Sequence, residues 1–203
     1  PCCANAKIAT FTGPGSFTVT AAALCAANNI VSHLIVAGGG SGGTGCSGGG
    51  AGAGGFREVK SPITPYTASP LDGYSTPANR VTVTAQTYSI VVGGGAPGQA
   101  TAPNSCNSDG TRGNNSSFGG IISTGGGAGG DGPAGPEGPG GSGGGGGHSS
   151  GTAGNGNTPP VSPAQGFNGR PSQPATGPAP SDAGGAGGGA TAAGTCGSSG
   201  HQG

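Results

Sequence analysis

The chain has 203 residues, 53 of them Gly and 18 Pro, with six Lys or Arg balanced by six Asp or Glu, and no Trp. With 4% aromatic and 6% charged residues it cannot build a conventional hydrophobic core of domain size, and its neutral balance argues against nucleic-acid binding, which needs a clustered basic footprint. No run approaches the ~18 apolar residues of a membrane-spanning helix. An ordered glycine-rich fold and a disordered low-complexity chain remain, and so little charge disfavours the second.

In chain order, residues 6–20 alternate like a hairpin, with Ile8, Phe11, Phe17 and Val19 as β-formers and Gly13-Pro14-Gly15 where the turn belongs. Residues 29–37 hold a second strand with Ile30, Val31, Leu34, Ile35 and Val36. From Gly38 a glycine tract begins in which Gly39, Gly42, Gly45, Gly48 and Gly54 share one period-three register, with Ala51 as the small exception. Residues 56–80 carry Arg57, Glu58, Lys60, Asp72, Arg80, Tyr66 and Tyr74, and Pro62, Pro65, Pro70 and Pro77 interrupt any regular element. They read as an excursion from the glycine scaffold. Residues 81–92 return to strand character, 99–114 form a polar loop, and 116–124 place Phe118, Ile121 and Ile122 against the sheet.

The longest regularity follows. Gly126, Gly129, Gly132, Gly135, Gly138, Gly141, Gly144 and Gly147 occupy every third position without a miss. Period three belongs to the extended left-handed polyproline-II conformation, with three residues per turn and a rise of about 3.1 Å per residue. Glycine at each third position leaves one edge of such a rod without side chains, so a neighbouring backbone can approach closely. Extended glycine rods make no internal hydrogen bonds, and their N–H and C=O groups must pair with neighbours. Gly132–Gly140 also reads as collagen triplets, but a triple helix needs three chains and a longer run. Packing of polyglycine-II rods within one chain is the stronger expectation.

The fold class expected is therefore mostly irregular and β, with little α-helix. A small antiparallel β base, residues 1–37, adjoins a bundle of polyglycine-II helices over 38–203, with an inserted strand at 81–92 and loops at 56–80, 99–114 and 156–182.

Cys2, Cys3, Cys25, Cys46, Cys106 and Cys196 form no C-x-x-C pair. Structural disulfides in an oxidising compartment are one reading and free buried thiols the other. The sequence has no Met, which points to a processed chain or a fragment; removal of an initiator Met before Pro1 and cleavage of a secretory leader are the two processing routes.

Two words imitate catalytic motifs. Gly38–Gly43 satisfies G-x-G-x-x-G, yet more Gly, Ser and Thr follow where a dinucleotide fold needs a helix. Gly45-Cys46-Ser47-Gly48-Gly49 satisfies G-x-S-x-G without a strand–turn–helix elbow. His33, His148 and His201 have no metal-ligand spacing. No catalytic residue, cofactor or metal is expected.

Several stretches, in order, resemble one family: TFTGPGSFTVT (10–20), HLIVAGGGSGG (33–43), GGGAGAGGF (48–56), TYSIVVGGGAPG (87–98), SSFGGIISTGGGAGG (116–130) and GNGNTPPVSPAQGFNG (154–169). They are similar to the glycine-rich domain of bacteriophage tail-fibre and receptor-binding (adhesin) proteins. The cysteines and the insert 56–80 depart from that pattern. The resemblance implies a non-enzymatic structural component on the virion surface, in the fibre, tail tip or capsid decoration, contributing to host attachment. It implies other virion proteins as partners, a host-surface glycan or outer-membrane protein as receptor, and homo-oligomer formation. Carried over by position, the loops 57–80, 99–114 and 156–182 would touch the host. Within them Arg57, Tyr66, Tyr74 and Arg80 are the interface-anchoring residue types. A secreted matrix or filament subunit with a purely structural role is the alternative.

Overall fold

The computed structural model describes residues 7–44, 47–99, 108–131, 138–148, 151–173 and 183–195. Among them, regular secondary structure is confined to short antiparallel strands and two 3-10 turns, Ala26–Asn29 and Pro77–Asn79. Everything else is extended or irregular, so the chain is mostly irregular and β. No helix of the described residues is long and apolar enough to cross a membrane.

The strands gather at one end. A four-stranded sheet runs in the order β1 (Gly15–Thr18), β6 (Thr87–Val91), β7 (Ser116–Phe118), β8 (Ile121–Ser123). Two antiparallel pairs accompany it: β2 (Ile30–Val31) with β5 (Val81–Thr82), and β3 (His33–Val36) with β4 (Phe56–Val59). The hairpin expected within residues 6–20 does not form. Phe17 instead lies opposite Tyr88, where its ring reaches Phe118 edge-on at 5.8 Å. The expected strand 81–92 is likewise divided, because β5 and β6 pair with different partners. Residues 56–59 form β4 where a loop was expected.

The apolar core sits between these layers. Ile35, Val81, Val83 and Ile121 are buried together, with Phe17, Val19, Val31, Tyr88 and Phe118 packed against them. Strand alternation divides the short insert, Phe118 and Ile121 facing inward while Ile122 is 51% exposed. The β7–β8 turn uses the left-handed region at Gly119 (φ 56) and Gly120 (φ 85), which favours glycine.

Away from the strands the chain becomes a bundle of extended rods that hydrogen-bond to one another with a period of three. Ala37, Gly40 and Gly43 donate to the carbonyls of Gly55, Gly52 and Gly49 at 3.0–3.1 Å, so rod 37–44 runs antiparallel to rod 47–55. Gly38, Ser41 and Thr44 donate to Asn114, Thr111 and Ser108 in the same manner. Gly126 and Gly129 donate to Gly38 and Ser41, which makes rod 124–131 parallel to rod 37–44. Successive residues of one rod thus bond to different neighbours, as a three-fold helix requires.

The rod at 142–147 is central. It has six neighbours by hydrogen bonding: Ser142 and Gly145 donate to 47–55, Gly143 and Gly146 to 165–173, Gly144 to Gly138, and it accepts from 124–131, from 183–189 and from Gly154. All its residues are buried. This is hexagonal packing of polyglycine-II helices, backbone on backbone.

Candidate functional site

In the long tract, Gly126, Gly129, Gly138, Gly141, Gly144 and Gly147 each hold a backbone atom of another rod closer than 3.0 Å to where a Cβ would stand. Gly132 and Gly135 lie outside the described residues. None of these rod glycines has positive φ, so space rather than backbone conformation demands glycine here. The glycines between them (Gly127, Gly140, Gly143, Gly145, Gly146) are packed as tightly. A central rod is therefore closed in on every side, beyond the single bare edge that the register alone suggested. Ser142 is the exception, fully buried, with its hydroxyl donating to the Gly189 carbonyl at 3.0 Å.

Of the three loops nominated for contact, residues 100–107 and 174–182 lie outside the described residues. Where the described parts can be followed, Ser108 bridges to Thr44 and Gln173 to Ala183, and Asn157 donates to the Gly141 carbonyl.

Within 57–80 the four nominated side chains have separate duties. The Arg57 guanidinium donates to Asn79 Oδ1 at 2.6 Å and to the Ile122 carbonyl at 3.3 Å, and burial lowers its pKa. Asn79, 6% exposed, in turn donates to the Gly73 and Ser162 carbonyls at 3.2 and 2.7 Å. Arg57 therefore serves as an internal strut that joins β4, β8 and the insert. Arg80 lies over the Tyr74 ring at 4.3 Å and donates from Nε to the Tyr74 carbonyl at 2.7 Å. Tyr66 is 41% exposed; burial of its hydroxyl end, with Glu58 close by, pushes its pKa up to about 12.

The insert is held by acceptors the sequence did not advertise. Buried Glu58 accepts from the Ser69 amide and hydroxyl, and Asp72 Oδ1 accepts from the Lys60 and Tyr74 amides, each at 3.0 Å. Fully buried Gln165 accepts from the Thr124 amide at 2.8 Å and donates to the Pro159 carbonyl at 3.1 Å. It ties segment 157–165 to the rod ends.

His33 has both ring nitrogens buried without a hydrogen-bond partner and meets Phe118 edge-on at 6.0 Å. Burial lowers its pKa, opposed by the Val31 backbone and aided by the Arg57 charge. Cys25 is exposed with a free thiol. Cys2, Cys3, Cys46, Cys106 and Cys196 lie outside the described residues. Gly38–Gly43 lies in the rod that pairs antiparallel with 47–55.

The sequence profile of the glycine-rich domain family matches residues 11–203. No curated protein and no solved structure matches the chain.

Proposed function

Starting from the fact that this chain belongs to the glycine-rich domain family, we propose that it is a non-enzymatic structural protein of a bacteriophage virion that contributes to host-surface attachment. The observation that carries this reading is the hexagonal packing around rod 142–147. Rods that meet backbone to backbone make a stiff support for what their ends carry. Binding residues are commonly borne by irregular segments on such supports. The insert 56–80, tied down by Glu58, Asp72 and Asn79, presents Tyr66 and the stacked Tyr74–Arg80 pair on that scaffold. The ordered sequence words shared with tail-fibre adhesins supply the viral part of the proposal.

An antibody against the purified chain, applied to phage lysates and viewed by electron microscopy, tests the assignment. Labelling of particle surfaces or tail tips is expected, together with binding of the purified chain to intact bacteria. Labelling of extracellular filaments alone would replace the virion reading with that of a matrix subunit.

A further inference from the structure

We propose that an open groove beside β5 binds a carboxylated saccharide; this rests on the attachment reading and names the chemistry of its ligand. The groove runs between β5 with the turn after it, contributing Arg80, Thr82 and Thr84, and the four-stranded sheet, contributing Ser89, Ser117 and Ile122. Arg80 is the one charged residue among those lining it, and no carboxylate faces it there. The groove therefore favours an anion.

Arg80 is also prepared for that role. Its Nε bond to the Tyr74 carbonyl and its stack on the Tyr74 ring fix the guanidinium plane. Among the described residues its terminal amino groups take no partner, which leaves a planar pair of donors for the two oxygens of a carboxylate. Thr82, Thr84, Thr87, Ser89 and Ser117 add short hydroxyl side chains to the lining, suited to exchanging hydrogen bonds with sugar hydroxyls. Tyr88 is positioned among them by the Thr84 amide, which donates to its hydroxyl at 2.8 Å. Ile122, 51% exposed, offers an apolar surface to the C–H face of a sugar ring. An acidic peptide would instead seek a deep apolar anchor pocket, which this open groove does not supply.

The test titrates the whole chain with trigalacturonate and with sialyllactose, using a neutral trisaccharide and triglutamate as controls, by calorimetry at low salt. The acidic sugars are expected to bind, the controls at least about tenfold more weakly, and Arg80→Gln to lose about tenfold or more. Because Arg80→Gln also removes a stacking contact, Ser89→Trp provides a second variant. It fills the groove from an exposed position, so affinity should fall while the melting temperature holds. Binding of neither acidic sugar, equal binding of either control, or unchanged affinity in both variants overturns the proposal. Cell binding measured in parallel separates the two readings. Attachment that persists undiminished in Ser89→Trp sinks the groove and spares the attachment function. Acidic-sugar binding without any cell binding does the reverse.

Discussion

Replacing Gly144 by Ala tests the packing where it is among the tightest. A Cβ at Gly144 would stand closer than 3.0 Å to the Ala128 carbonyl and to the carbon that bears it. Those atoms are backbone and cannot rotate away. Relieving the overlap means separating rod 142–147 from rod 124–131, whose joints are Gly127 to Ser142 at 2.9 Å and Gly130 to Gly145 at 3.0 Å. Overpacking a close-fitted interior costs about 1–3 kcal/mol, and each buried backbone group left unpaired costs about 1–3 kcal/mol more. The stiffer unfolded chain returns only about 0.4–1 kcal/mol. The net destabilisation is about 3 kcal/mol or more, which lowers the melting temperature of a chain this size by roughly 6–12 °C. Gly94 is the control, since nothing lies within 4 Å of where its Cβ would be. Gly94→Ala should leave the melting temperature unchanged or slightly raised. Calorimetry of both variants decides the matter, and equal melting temperatures would refute the reasoning.

Other perturbations probe the β end. His33 has a folded pKa below its ordinary value because burial and Arg57 oppose its charge. The unfolded chain therefore binds the proton more readily, so stability is full above about pH 6.5 and falls as pH drops through the imidazole range. Melting temperatures measured between pH 8 and 5 should show that decline, and His33→Leu should flatten it. Asn79→Ala strands the Arg57 donor that points at it and the Gly73 and Ser162 carbonyls, a loss of about 2–4 kcal/mol in urea denaturation. Gln165→Leu leaves the Thr124 amide and the Pro159 carbonyl unpaired and should cost about 2–3 kcal/mol by the same assay.

The rods were readable from sequence because their rule is local: a three-residue register with no side chain. Which rods lie parallel was not, since glycine carries no side-chain pattern to specify partner or direction. The strands show the opposite problem. Phe17 and Val19 announce β structure, but the partner of β1 lies about seventy residues on, and long-range pairing of this kind leaves no local mark. Residues 56–59 hid as a strand because Arg57 and Glu58 look like solvent-facing charges. In the fold each is accommodated by a specific partner, Asn79 for one and Ser69 for the other. The same pairing changes the reading of the nominated contact residues. Arg57 is committed internally, while Arg80, Tyr74 and Tyr66 keep surface to offer. A stack six residues apart in an irregular turn has no periodicity to betray it.

Amide hydrogen exchange, resolved residue by residue by NMR, tests the central claim most directly. Gly143, Gly144, Gly145 and Gly146 belong to no helix or sheet, yet each donates to a different rod or to a different point on one. Their amides should exchange only through global unfolding, as slowly as those of the core strands. Exchange at the rate of an unstructured glycine peptide would contradict the account.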